Sequence, residues 1–149
     1  MSETLFECGA RVPFFFYWPG VTKANTINNS IVQSTDLFPT LIEIVGGEVS
    51  EYKDLDGISL LRSIKSSNTI NRDAIFGYRA YEDLYTSVRE GDWKLLAYRS
   101  GELQLYNSPK DIKEVNNRAN YKSEKVKVLV NKLIAREKEM EVEKYSSFQ

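Results

Sequence analysis

The side chains best suited to chemistry are few and scattered. Histidine is absent from all 149 residues, and cysteine occurs once, as Cys8. That removes the Ser-His-Asp triad, the Cys-His pair and the usual general base near neutral pH. An enzyme built from this chain alone would have to use carboxylates, Lys, Tyr, Ser or Cys8. Glu7 and Arg11 stand i, i+4 around a glycine. They read either as a polar pair at the mouth of a site or as an ion pair that holds a loop ahead of a strand. Cys8 is either a reactive thiol or a small packing residue, and no neighbouring His or Lys would lower its pKa. Asp54, Asp56, Asp111 and Glu114 could suggest calcium, but their spacing fits no EF-hand loop, so they read as caps and turn residues. Tyr78, Arg79, Tyr81 and Tyr85 form an aromatic and basic cluster. The Lys- and Glu-rich C-terminal run reads as the solvated face of a helix or as a partner-binding face.

Composition narrows the classes. Hydrophobic residues make up 42% and charged residues 28%, close to globular averages, which argues against a disordered chain. Lys plus Arg number 20 against 21 Asp plus Glu, so no basic surplus points to nucleic acid. No apolar run approaches the ~18 residues of a membrane-spanning helix. The first eight residues lack the charged and apolar regions of a signal peptide, so localisation stays open. One cysteine permits neither an internal disulfide nor a Cys-rich metal site.

Elements that would position these groups follow from pattern. Arg11–Trp18 is apolar on both faces and closes on Pro19-Gly20, which predicts a buried strand in a covered sheet. Ser34–Gly47 reads as a helix, with Ser34, Thr35 or Asp36 as cap, Pro39 in the first turn and the glycines as stop. Leu37, Leu41, Ile44 and Val45 share one of its faces. Asp56–Ile64 reads as a second, shorter helix or turn. From Arg72 the period becomes two. Segments 74–78, 85–89, 93–98 and 102–106 predict an antiparallel meander, with tight turns at Glu90-Gly91-Asp92 and Ser100-Gly101. Trp93 reads as core. From Lys122 to about Tyr145 the period is helical, with Val126, Leu129, Val130, Leu133, Ile134 and Met140 as one stripe. The fold class is α+β.

Three segments in this order resemble the C-terminal portion of a sulfatase, of the arylsulfatase family in the alkaline-phosphatase-like superfamily. Leu5-Phe-Glu-Cys-Gly-Ala-Arg-Val-Pro13, followed by Trp18-Pro-Gly20, is similar to the family's L-[FY]-E-G-G-x-R-V-P stretch. Thr35-Asp-Leu-Phe-Pro-Thr-Leu41, with Asp56-Gly57-Ile-Ser-Leu60 downstream, resembles the D-[LY]-x-P-T-[LI]-L helix and its D-G-x-S-L partner. Arg89-Glu-Gly91-Asp-Trp93-Lys94-Leu95, then Glu102 to Tyr106, Asp111, Glu114 and Asn117, resembles R-x-G-[DN]-[WY]-K-[LY] with its E-L-Y tail.

The resemblance implies a division. Residues 1–66 would be the C-terminal end of the α/β catalytic domain, and 67–149 a small subdomain of four antiparallel strands with a packed C-terminal helix. Glu7, Arg11, Asp36, Pro39, Asp56, Gly57, Gly91, Trp93, Lys94 and Tyr106 would be its structural motif residues. Tyr78 and Arg79 would lie near the substrate entrance, where they could touch a sugar or sulfate. Sulfatases hydrolyse sulfate esters or sulfamates through a formylglycine made in a C/S-x-P-x-R motif, with a divalent cation, usually calcium. No such motif occurs here: Cys8 is followed by Ala10 and Val12 at its second and fourth positions, where Pro and Arg are needed. Ser2 stands where the family usually has a sulfate-contacting Lys. The expectation is therefore a sulfatase C-terminal portion that is inactive alone, with calcium held by residues outside this sequence. Family members are often secreted, periplasmic or lysosomal. The alternative is a non-catalytic interaction module or truncated gene product, self-associating through an exposed Val12–Trp18 strand.

Overall fold

The computed structural model describes residues 5–66, 68–79 and 85–141. Two compact units are present: Met1–Pro13 with Asp73–Gln149, and Phe14–Arg72.

The first unit is built on a meander. Strands β1 (Ile75–Arg79), β2 (Tyr85–Glu90), β3 (Trp93–Tyr98) and β4 (Leu103–Asn107) form one antiparallel sheet in sequential order. Gly91 (φ 55°) and Gly101 (φ 90°) take the left-handed turn conformations that the short hairpin connections need. Alternation then divides the side chains between two faces. Phe76, Val88, Leu95 and Leu105 lie across one another on the first face, beside Tyr78, Thr86, Ala97 and Leu103. Helix α4 (Ser123–Glu139) covers this face with Val126, Leu129 and Leu133, closing the main core. Val130 packs at its margin, while Ile134 and Met140 stay exposed. The stripe is thus narrower than the sequence pattern implies. Lys125 and Lys132 both reach Glu90 from α4, so the helix is also tied to β2 by charge.

Ile75, Arg89, Lys94 and Tyr106 line the second face, beside Gly77, Ser87, Leu96 and Gln104. The segment Leu5–Ala10 packs here and contains the single turn α1 (Glu7–Ala10). Leu5 and Phe6 join Tyr85, Leu96, Tyr98 and Tyr106 in a smaller apolar cluster. A Cβ on Gly77 would stand 3.0 Å from the Leu5 side chain and 2.8 Å from Ser87 Oγ, so a glycine lets the segment lie close.

The second unit holds helices α2 (Leu37–Ile44) and α3 (Leu61–Ser66). Ser34–Asp36 forms a single 3-10 turn ahead of α2, so the helix begins later than the pattern suggests. Pro39, Thr40 and Ile42 are its buried residues, whereas Leu37, Leu41 and Val45 are exposed. Asp56–Leu60 is irregular, and the helix predicted from Asp56 starts at Leu61.

The predicted buried strand at Arg11–Trp18 is not formed. The segment pairs with no other strand among the described residues, and Phe15 and Tyr17 are 89% and 83% exposed. Physically, a strand needs a hydrogen-bonding neighbour, and none of the described strands runs beside this segment.

Candidate functional site

The most constrained group of charges lies on the second face of the sheet. Register places Arg89 directly across from Lys94, and Lys94 across from Tyr106. Two cations side by side on adjacent strands repel unless anions sit between them. Glu7 and Glu114 supply those anions. Lys94 Nζ is 3.2 Å from Glu7 Oε1 and 2.9 Å from Glu114 Oε1. The Arg89 guanidinium approaches Glu7 Oε1 at 3.5 Å. Glu114 Oε2 accepts the Glu7 backbone N–H at 2.6 Å, so one carboxylate both pairs with the lysine and fixes the turn that carries the other. Glu7, Lys94 and Glu114 are all buried, with Lys94 only 3% exposed. Glu114 takes a left-handed backbone (φ 52°), uncommon for a residue with a Cβ. Desolvation penalises such charges heavily, so they persist only as a mutually satisfied set.

Tyr85 completes the attachment. Its hydroxyl accepts the Leu5 N–H at 2.9 Å, and its ring stacks on Tyr98 with centroids 4.9 Å apart. The arrangement holds residues 5–10 in one place and orientation.

A similar interlock organises the second unit. Asp36 is fully buried. Its carboxylate accepts the N–H groups of Gln33 (2.8 Å) and Ile58 (3.0 Å) and pairs with Arg72 at 2.5 Å. The Thr40 hydroxyl donates to the Asp36 carbonyl and accepts the Leu60 N–H. A Cβ on Gly57 would lie 2.0 Å from the Thr35 carbonyl oxygen, so only glycine fits. Asp36, Thr40 and Gly57, from the separate D-x-x-P-T and D-G-x-S-L stretches, meet through these contacts.

The remaining sequence-derived candidates fall as follows. Glu7 does not pair with Arg11; its cations are Lys94 and Arg89, and Arg11 is exposed. Tyr78 and Arg79 point to opposite faces of the sheet, because neighbours on a strand alternate. Tyr78 lies on the α4 face. Its hydroxyl is buried with no hydrogen-bond partner among the described residues, and burial together with the Glu137 charge pushes its pKa up to about 12. Arg79 sits over the Tyr85 ring at 5.8 Å on the other face. Tyr81 lies outside the described residues. Trp93 packs at the edge of the main core. Tyr106 is buried beside Glu114, and burial first, then that charge, raises its pKa. Cys8 is exposed on α1 and forms no disulfide. Asp56 is exposed next to Gly57.

The acidic residues do not gather. Glu114 is in the lysine cluster, and the Asp111 carboxylate accepts the N–H groups of Val115 and Asn116. Those bonds, Asn116 first, lower its pKa. Among the described residues no group of three or more Asp, Glu, Cys or His side chains could hold a metal ion. These residues therefore do not fit the calcium that the resemblance implies. No helix of the described residues is long and apolar enough to cross a membrane.

The family profile described as N-sulphoglucosamine sulphohydrolase, C-terminal, matches residues 3–143. The chain belongs to that sulfatase family. Among curated relatives, an arylsulfatase of Clostridium perfringens is 29% identical over 147 residues, covering 95% of this chain and 30% of the relative. A sulfatase of Formosa agariphila is 32% identical over 130 residues, covering 76% and 24%. Human arylsulfatase D is 43% identical over 56 residues, covering 38% and 9%. The chain thus spans less than a third of these relatives' length. Two solved structures share the fold. BT4656, solved with its substrate D-glucosamine-2-N,6-O-disulfate, superposes with a TM-score of 0.71 at 23% identity, covering 89% of this chain and 29% of that one. Ps i-CgsB, solved with k-i-k-neocarrahexaose, gives 0.72 at 24% identity, covering 80% and 27%.

Sequence reasoning left Thr40, Arg72 and Arg89 out of the candidate set. For Thr40 a local signal existed, since its i, i−4 spacing to Asp36 suits a bond to the helix carbonyl. For the Glu7–Glu114 contact, 107 residues apart, no local signal could exist.

Proposed function

We propose that this chain acts as the C-terminal portion of a longer sulfatase, whose complete form hydrolyses a sulfate ester or sulfamate. The chain alone is inactive in this reading. Sulfuryl transfer requires a nucleophile and strong stabilisation of charge at the transferring group. The 149 residues contain no histidine and no C/S-x-P-x-R sequence to supply them. Residues 1–66 belong to the end of the catalytic domain and 67–149 to the small subdomain. Calcium would be held elsewhere in the complete protein. The observation that carries the reading is the buried Glu7–Lys94–Glu114 cluster. It fixes the L-F-E stretch, one of the three segments that resemble the family, to the sheet. Pre-positioning of that kind is what a catalytic arrangement needs from its supporting elements.

The test is a turnover assay on the purified chain with an aryl sulfate and calcium. No turnover is expected. Turnover that persists through repurification would overturn the claim of inactivity.

The exposed Val12, Phe14, Phe15 and Tyr17 favour a second reading, a non-catalytic module that self-associates through this segment. Sedimentation separates them: association abolished by Phe15→Lys supports it, and a monomer refutes it.

A further inference from the structure

A groove of about 360 Å³ opens where β3 begins and β4 ends. It lies wholly within the sheet unit and shares no residue with the buried charge cluster. Its size falls at the lower end of the range of about 300–1,000 Å³ for small-molecule sites. Trp93, whose other contacts are with the main core, and Tyr121, which is 78% exposed, both line it.

Three cations, Lys110, Arg118 and Lys122, line the same groove. None of them makes an ion pair among the described residues, whereas Lys94, Lys125, Lys127 and Lys132 of the same unit all do. The only carboxylate lining it, Asp111, is occupied by two backbone N–H groups. Asn107 adds an amide that can bond a hydroxyl. A net-positive groove lined by two aromatic residues and an amide is unexpected on a chain whose net charge is −1.

Each component selects a part of one ligand. Aromatic faces take the apolar C–H surface of a pyranose ring, with burial of apolar area as the driving force. The amide reads ring hydroxyls. The Lys110 and Lys122 ammonium groups, and Arg118, whose charge is shared with Asp111, take sulfate oxygens through charge-assisted hydrogen bonds. The geometry points to a binding site for a sulfated mono- or disaccharide, formed by Trp93, Tyr121, Lys110, Arg118 and Lys122. The sulfated character of the sugar rests on the sulfatase reading above; the groove itself does not. The site would hold a sugar ring while another part of a polymeric substrate is processed, or retain the protein on it.

The probe is a trisulfated heparin-type disaccharide, titrated into the 149-residue chain carrying Trp18→Phe, with Trp93 fluorescence as the signal. The comparison ligands are the unsulfated disaccharide and sodium sulfate at equal ionic strength. Saturable binding is expected, weaker by about tenfold or more for either comparison ligand. Tyr121→Ala and the pair Lys110→Gln/Lys122→Gln should each weaken it by about fivefold or more. Lys113→Gln, on the same loop but outside the groove, should leave it unchanged. Far-ultraviolet circular dichroism verifies that each exposed-residue variant is folded. No saturable binding would overturn the proposal. So would equal affinity for sodium sulfate, which marks a bare anion site, or indifference to Tyr121→Ala, which marks general charge attraction. These outcomes leave the turnover test untouched, so failure of the groove and failure of the sulfatase reading are separable.

Discussion

Replacing Lys94 with Met removes a charge while keeping most of the side chain's length. It leaves the Glu7 and Glu114 carboxylates buried, with the Arg89 guanidinium, 3.5 Å from Glu7, as the remaining cation. Breaking a buried pair by deleting one partner costs about 3–5 kcal/mol. Here one lysine serves two carboxylates, at 3.2 and 2.9 Å, so the upper half of that range is expected. Against a domain stability of about 5–15 kcal/mol this is a large fraction. The assay is urea unfolding followed by Trp93 fluorescence in the Trp18→Phe background. Hydrogen exchange across residues 5–10 provides the local readout, and the segment should lose protection. Adding Glu114→Gln to Lys94→Met should recover part of the loss. It removes one stranded charge and keeps an oxygen for the Glu7 N–H. A loss under about 1 kcal/mol, with exchange unchanged, would refute the claim that this cluster holds the segment.

Three further outcomes follow from the same contacts. Gly57→Ala forces a Cβ toward the Thr35 carbonyl, 2.0 Å away, and should destabilise the Phe14–Arg72 unit by at least the ~1–3 kcal/mol of overpacking, seen in its own unfolding transition. Tyr85→Phe removes the acceptor for the Leu5 N–H and should cost about 1 kcal/mol, with faster exchange at that amide. Glu137→Gln should raise stability at pH 7, because burial raises the Glu137 pKa; a raised carboxyl pKa means stability is lost as pH rises through it, so the gain should vanish toward acid, as denaturant midpoints across pH would record.

How much of this was legible in the sequence depends on the range of each interaction. The meander was legible because strand alternation and turn glycines are local signals; β3 runs over Trp93–Tyr98, the residues its pattern marks. Helix α4 was legible from its 3.6-residue period, though only Val126, Leu129 and Leu133 of its stripe are buried. The Val12–Trp18 run misled for a physical reason. Apolar residues on both faces say that a segment wants neighbours on both sides, and say nothing about whether this chain provides them. The charge cluster was half visible: Lys94, Glu7 and Glu114 each stood in a motif, but bringing Glu7 to the other two depends on folding across more than 80 residues. Arg79 and Tyr78 looked like one cluster because adjacency in sequence conceals that a strand sends neighbours to opposite faces.

The central claim is that these residues work as the end of a longer sulfatase. Its most direct test is the DNA sequence immediately upstream of the Met1 codon. The account predicts an open continuation encoding a C/S-x-P-x-R sequence and histidine-bearing segments. A stop codon and promoter directly before Met1 would contradict it, because the chain would then be made without any catalytic core to complete.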